Sequence, residues 1–269
     1  MHGLYPFQEN QESRLINLPH PVAVHNYKII VQFDGTEYCG WQTQSPQYRT
    51  VQSEIARVLK IIAKKRIIVT ASSRTDSGVH AIGQTANFHL PITIEPDSLQ
   101  RALNSLLPDD IRIAACALVN KSFNARFHAT RKTYVYRLFS GQVQSPFASR
   151  YAAHIPYPLD RRAMRRSLRH FVGTKDFTSF TSGDPEKNKV RTIESLTMRV
   201  HREEITFTVT GQSFLRYMVR NIVGTIIDIG RGKIKPAEIP DIIAARDRRR
   251  AGQTAPARGL TLMDVSYRE

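Results

Sequence analysis

From Tyr27 to Val119 the hydrophobic pattern switches between a period of two and one of about 3.6 residues, in the order strand, helix, strand, strand, helix, strand. Few architectures accept that succession. Tyr27, Ile29, Val31 and Phe33 share one face of a strand that Asp34-Gly35-Thr36 ends as a turn. Thr50 is the expected N-cap of a helix presenting Val51, Ile55, Val58, Leu59 and Ile62 to one side. The β-branched run Ile67-Ile68-Val69-Thr70 and the alternating Gln84 to Leu90 predict two more strands. A helix is expected over about Asp97 to Leu107, with Leu99, Ala102, Leu103 and Leu106 inward, broken by Pro108-Asp109-Asp110. Ile111 to Val119 is apolar on both faces, which predicts a central strand. The order is that of the split βαβ unit of ferredoxin-like folds and of RNA-recognition motifs.

The second half repeats the theme after a weakly patterned link, Gly141 to Ala148. Asp160 should cap a helix with Met164, Leu168 and Phe171 inward, ending at Gly173. Strands follow at Leu196 to Val200, Ile205 to Thr210 and, last, Leu260 to Tyr267, with a shorter helix near Pro240 to Arg246. Between them, Ser213 to Ile229 reads as a long helix, apolar around so much of its circumference that it must be largely buried. The expected fold is therefore α+β, with two ferredoxin/RRM-like halves, 27–140 and 141–269, forming a mostly antiparallel sheet flanked by helices. Residues 1–26, rich in Gln, Asn, Pro and His, lack the basic start and apolar core of a signal peptide and are expected to be a poorly ordered tail.

A formal charge of +16, from 39 Lys and Arg against 23 Asp and Glu, is costly to a compact chain, and its usual counterpart is a polyanion, nucleic acid ahead of an anionic membrane. Two places concentrate it. Arg126, Arg131 and Lys132 stand among Phe123 and Phe127, the composition of a segment that meets phosphates and stacks on bases. Arg161, Arg162, Arg165, Arg166 and Arg169 crowd one short helix, where only a phosphate backbone offsets their mutual repulsion; a merely solvated face is the plainer reading. Two distant cysteines and scattered histidines give no metal-ligand spacing, so no metal site is expected and a reducing compartment, the cytoplasm, is. No window approaches the roughly 18 to 20 apolar residues of a membrane span.

The chemistry concentrates in Ser72-Ser73-Arg74-Thr75-Asp76-Ser77-Gly78-Val79-His80-Ala81, the loop between two predicted strands. Asp76 lies beside Arg74, whose cation would favour the ionised carboxylate, a nucleophile or base. The bland alternative is a turn whose carboxylate bonds backbone amides, with Gly78 at positive φ. Arg216 and Arg220 sit four apart on the predicted apolar helix, and a buried guanidinium needs an acid; Asp76 is the acid chosen for one of them. Tyr134 and Tyr136 share a strand face, where one could stack on a base or both could be core.

Several separated motifs in order resemble the TruA-type tRNA pseudouridine synthase family. They are Phe33-Asp34-Gly35-Thr36 with Gly40-Trp41-Gln42; Arg74 to Ala81; Phe123-Asn124-Ala125-Arg126; Lys132-Thr133-Tyr134-Val135-Tyr136; Asp176-Phe177-Thr178-Ser179-Phe180; Phe214-Leu215-Arg216 with Met218-Val219-Arg220-Asn221; and Ala255 to Leu260. The resemblance implies a pseudouridine synthase fold with a central cleft. It implies Asp76 as the essential carboxylate with Arg74 beside it, Tyr134 against the target uracil, Arg220 paired with Asp76, and Leu260 lining the pocket. It further implies isomerisation of uridine at positions 38 to 40 of the tRNA anticodon stem-loop, no metal or organic cofactor, and a homodimer. Ser72-Ser73 and Ser77 depart from the family's usual small residues, which predicts an altered but intact loop. A non-catalytic RNA-binding protein and a modifier of ribosomal RNA remain the alternatives.

Overall fold

The computed structural model describes residues 24–182 and 188–268. The expected tail over 1–26 lies outside them except for its last residues, of which His25 and Asn26 belong to the first strand. In chain order the elements are β1 (His25–Phe33), α1 (Val51–Ala63), β2 (Thr70–Ala71), β3 (His80–Leu90), α2 (Pro96–Leu106), β4 (Ile111–Val119), β5 (Ala129–Phe139), β6 (Ala153–His154), α3 (Arg161–Ser167), β7 (Gly173–Asp176), β8 (Val190–His201), β9 (Glu204–Gly211), α4 (Met218–Gly230), α5 (Ile239–Ala245) and β10 (Leu260–Tyr267).

One sheet runs through the whole molecule in the order β4-β1-β3-β10-β5-β9-β8-β7, with β2 beside β3 and β6 beside β5. Pairing is antiparallel except for β10 with β3 and β6 with β5. The last strand of the chain is thus inserted at the centre, where it joins β3 of the first half to β5. Alternation decides what is buried. Tyr27, Ile29, Val31 and Phe33 of β1 are all in the core, as are Tyr134, Tyr136 and Leu138 of β5 and Ile205, Phe207 and Val209 of β9. Val51, Ile55, Val58 and Leu59 of α1 belong to the same cluster, and Thr50 caps that helix by accepting from the Ser53 amide.

Four expectations are corrected. Ile67 to Thr70 is not a strand: the pairing is limited to Thr70 and Ala71, opposite Asn87 and Ala86, and Ile68 is 77% exposed. The strand β4 is at the sheet's edge and not central, because only Ile111 and Ile113 are buried while Leu118 and the small Ala114 and Ala115 face outward. Leu106 of α2 is exposed, and Leu107, just past the helix, takes the inner place. The helix expected from Ser213 begins only at Met218, since Tyr217 adopts a left-handed backbone with φ of 61° that interrupts any helix running through it. Arg216 therefore precedes α4, and the predicted four-residue stripe with Arg220 does not exist.

Candidate active site

The segment 72–79, between β2 and β3, is clamped from several sides. Ser72 donates its amide to Thr85 O and its hydroxyl to Gln84 Oε1, while Gln84 Nε2 donates to Ser73 O at 2.6 Å. From β5, Lys132 Nζ reaches Ser72 O at 2.6 Å. The loop after β1 lies against its other flank: the Trp41 amide donates to Thr75 O, and the Gly78 amide and Ser77 hydroxyl both donate to Tyr38 O. Both departures from the family's usual residues thus have bonding partners. The contact is close enough to require glycine. A Cβ on Gly40, whose φ is +84°, would stand 2.6 Å from Thr75 O, and one on Gly35 only 2.0 Å from Val79 O. Trp41 is a packed residue, 1% exposed.

Held in this way, Asp76 turns its carboxylate into a cleft. Arg220, in the first turn of α4, donates from Nη1 to Asp76 Oδ2 at 3.1 Å and from Nε to Ala255 O at 2.8 Å. Two anchors fix the guanidinium plane. The side chains of Arg220 and Asp76 are 14% and 17% exposed, so the pair is largely withdrawn from water. Among the described residues the Asp76 carboxylate accepts no backbone amide, so it is not the self-satisfied turn of the bland alternative. Burial pushes its pKa up and outweighs the opposing attraction of Arg220 and, more weakly, of Arg216; the net direction is above the ordinary carboxylate value. That corrects the electrostatics expected from sequence. Arg74 is exposed on the cleft wall and bonds no carboxylate among the described residues, so the cation at Asp76 comes from α4 and not from the neighbouring loop residue.

The cleft, about 1080 Å³, lies between the helices of the two halves over β5 and β10. Tyr134 and Leu260 line it, and both are almost fully buried. Tyr134 meets the edge of Phe214, ring centroids 5.3 Å apart, and burial pushes its phenol up to about 12, so it stays neutral across the physiological range. Tyr136 is core: its hydroxyl donates to Pro256 O. Around the acid the walls are cationic, with Arg74, Arg126, Lys132, Lys189, Arg191, Arg216 and Arg220 all lining the space. Burial, with Arg126 nearby, brings Lys132 down to about 8.

The structure thus brings together Asp76, Arg74, Tyr134, Arg220, Leu260, Arg126 and Lys132. It leaves others apart. Arg131 is held by Glu194 at 2.9 Å outside the cleft. The four arginines of α3 and Arg169, just beyond its end, are all exposed, but the start of α3 is tied to the far end of α4, where the Asp160 amide donates to Gly230 O. From Arg220 to Gly230 α4 runs ten residues, so at 1.5 Å per residue it sets the start of that patch about 15 Å along the helix from the Asp76 ion pair. Phe127, named in the sequence as an aromatic beside the cations, also lines the cleft, as do Lys189, Arg191 and Tyr217, which sequence reasoning did not single out; a tyrosine between two arginines was the available signal for the last. Among the described residues no group of three or more His, Cys, Asp or Glu is placed to hold a metal ion, and no helix is long and apolar enough to cross a membrane.

A family model described as tRNA pseudouridine synthase matches residues 29–128 and 168–268. The chain belongs to the tRNA pseudouridine synthase family. The two matched segments carry Asp76, Arg220 and Leu260, while Tyr134 falls between them. Members of this isomerase family similar to the chain include proteins named tRNA pseudouridine synthase A from Bacillus licheniformis, 44% identical over 243 residues, 89% of this chain and 98% of that protein. The Acetivibrio thermocellus protein of that name is 42% identical over 245 residues, 91% of this chain and all of that one, and the Geobacillus protein is 46% identical over 242 residues, 89% and 97%. Among solved structures, a Cbf5-Nop10-Gar1 complex aligns with 87% of this chain and 57% of that chain at 12% identity and a TM-score of 0.35. An archaeal box H/ACA sRNP Nop10-Cbf5 complex aligns with 75% of this chain and 43% of that chain at 12% identity and a TM-score of 0.33.

Proposed function

We propose that the cleft isomerises uridine to pseudouridine in the anticodon stem-loop of tRNA, at positions 38 to 40, with Asp76 as the essential carboxylate. The observation that carries this reading is the one acid among the described residues of the cleft lining, in a loop clamped on several sides, aimed by an arginine of a distant helix into a cleft whose other charged lining residues among those described are cations. The reaction breaks the N1–C1′ bond, turns the detached uracil, joins C5 to C1′ and moves the C5 proton to solvent, while N1 ends protonated. Arg220 occupies Oδ2, leaving Oδ1 free to attack C1′ or to take a proton from C2′. A target inside a duplex cannot reach that oxygen, so the nucleotide must be swung out of its stack. Tyr134, buried, apolar-faced and neutral, packs on the uracil, and Leu260 closes the pocket floor, so that water does not capture C1′. Arg74, Arg126 and Lys132 stand where the strand enters and hold its phosphates. The α3 arginines, about 15 Å away along α4, serve a second stretch of the tRNA backbone.

The rest of the reading is action as a homodimer, which follows the family resemblance, in the cytoplasm, which follows the cysteine usage, with two folding units at 27–140 and 141–269, which follow the alternation of strands and helices. For the dimer the support is a cavity of about 450 Å³ lined by Ile82, Val135 and Met263, on the sheet face away from Tyr134, next to an Ile82 that is 48% exposed. Changing Asp76→Ala is expected to abolish tritium release from 5-tritiated uridine in tRNA while leaving tRNA binding within several-fold, because the cationic walls and α3 supply most of the affinity. Continued release by this variant ends the proposal.

A further inference from the structure

Among the described residues four outside glycine have positive φ: Lys64, Arg202, Tyr217 and Arg246. Three of them stand where a left-handed backbone is ordinary. Lys64 and Arg246 are helix C-caps, and Arg202 is in the β8–β9 turn. Tyr217 is the exception, since it is the N-cap of α4, where extended backbone and a small polar side chain are the rule, and its side chain makes no capping bond. Glycine would adopt that backbone without strain, so the ring itself must be what the position requires.

The ring serves two cations. The Arg216 guanidinium lies 4.8 Å from the Tyr217 centroid and donates from Nη2 to the Tyr217 hydroxyl at 2.9 Å; the Arg220 guanidinium lies 5.2 Å from the same centroid. The two arginines then differ in one respect. Arg220 is half-buried and satisfied by Asp76 and Ala255 O, whereas Arg216 is exposed in the cleft wall and has no carboxylate partner among the described residues. Arg216 is close enough to act electrostatically on Asp76 without bonding it. The Arg216 backbone is also pinned, its carbonyl accepting from the Thr181 hydroxyl at 3.0 Å. A cation ordered by a ring, a hydroxyl and a fixed backbone, yet unpaired, is preorganised for an anion supplied from outside.

Building on the proposed activity, we infer that Arg216 is the seat for a backbone phosphate next to the nucleotide presented to Asp76, and that Tyr217 is its positioning residue. Arg216 then fixes how far the strand enters, while Arg220 aims the carboxylate. Loss of the seat weakens engagement of the strand and leaves the chemical step intact once it is engaged.

The test uses the full chain and an unmodified tRNA transcript, with Kd measured between 50 and 200 mM salt and turnover measured separately. Arg216→Gln is expected to raise KM and Kd roughly five- to tenfold, with kcat within about twofold, and to reduce the slope of log affinity against log salt by about 0.7 to 0.9, the contribution of one phosphate contact. Arg216→Lys, which keeps the charge, is expected to restore the slope. Tyr217→Phe keeps the ring but loses the hydroxyl acceptor and should raise KM less than Arg216→Gln does. Tyr217→Gly should raise KM as much as Arg216→Gln; if it does not fold, the other three variants carry the test. An unchanged salt slope in Arg216→Gln, or a fall in kcat at constant KM, overturns the inference. A wild-type protein that releases no tritium refutes the proposed activity instead, and the binding slopes still decide whether Arg216 meets a phosphate.

Discussion

Replacing Arg220 by Gln removes the cation from an ion pair whose side chains are 14% and 17% exposed, while keeping a polar group of similar shape near the Asp76 carboxylate. The hydrogen bond is 3.1 Å. With charge centres about 4 Å apart and an effective dielectric of about 20, the lost attraction is of order 4 kcal/mol, within the range of what breaking such a pair costs. Water entering the gap recovers part of it, so about 2 to 3 kcal/mol is left, which is about two pKa units at 1.36 kcal/mol each. The direction follows from burial. Asp76 is already raised above the ordinary carboxylate value by desolvation, and Arg220 is the main opposing influence, so its removal raises Asp76 further. Since the ionised carboxylate is the reactive form, the acid limb of the kcat/KM profile should move up, and on that limb, at pH below both titrations, turnover should fall on the order of 100-fold. Stability obeys the same sign. A carboxyl whose folded pKa exceeds its unfolded one binds its proton more readily when folded, so stability falls as pH rises through the window between the two values. The variant should therefore melt well below the wild type at pH 8 and less far below it at pH 5. Tritium release measured from pH 5 to 9, with melts at the two ends, gives both readings. An acid limb that stays in place refutes the assignment of Arg220 as the group that holds Asp76 ionised.

Two further substitutions test the scaffold and the outlying patch. Gly40→Ala combines a φ of +84° with a Cβ 2.6 Å from Thr75 O, so the catalytic loop must shift; Gly232→Ala has a φ of +74° but nothing within 4 Å, and is the control for backbone strain alone. The control should cost about 1 to 2 kcal/mol and leave kcat unchanged, whereas Gly40→Ala should cost visibly more in the melt and lower kcat at least tenfold; equal kcat in the two variants would mean that the loop contact does not position Asp76. Changing Arg165 and Arg166 together to Gln should weaken tRNA binding uniformly and reduce the salt slope by about 1 to 2 without altering kcat, as read by filter binding at several salt concentrations; an unchanged slope would reduce the patch to a solvated face.

Much of this arrangement is legible in the sequence because it is local. Alternation located β1 and β5, the Thr50 cap located α1, and the order of motifs located Asp76 and its partner Arg220, 144 residues away in the chain. What was not legible depends on neighbours. An apolar strand such as β4 looks central, but small residues tolerate an edge, and nothing in Ile111 to Val119 records that only β1 flanks it. The insertion of β10 between β3 and β5 is a long-range pairing without local signature. The beginning of α4 was misplaced because Phe214, Leu215 and Met218 continue the helical period, and only the backbone reveals the break at Tyr217. Adjacency misled in the same way at Arg74: two residues from Asp76 in the chain, it lines the same cleft, yet among the described residues the cation bonded to Asp76 is Arg220.

The most direct test of the account is to incubate unmodified tRNA with the wild-type protein and with the Asp76→Ala variant, then map pseudouridine by carbodiimide treatment and reverse transcription. The account predicts new stops at positions 38 to 40 with the wild type and none with the variant. Stops that persist in the variant, or the absence of any new stop with the wild type, would contradict it.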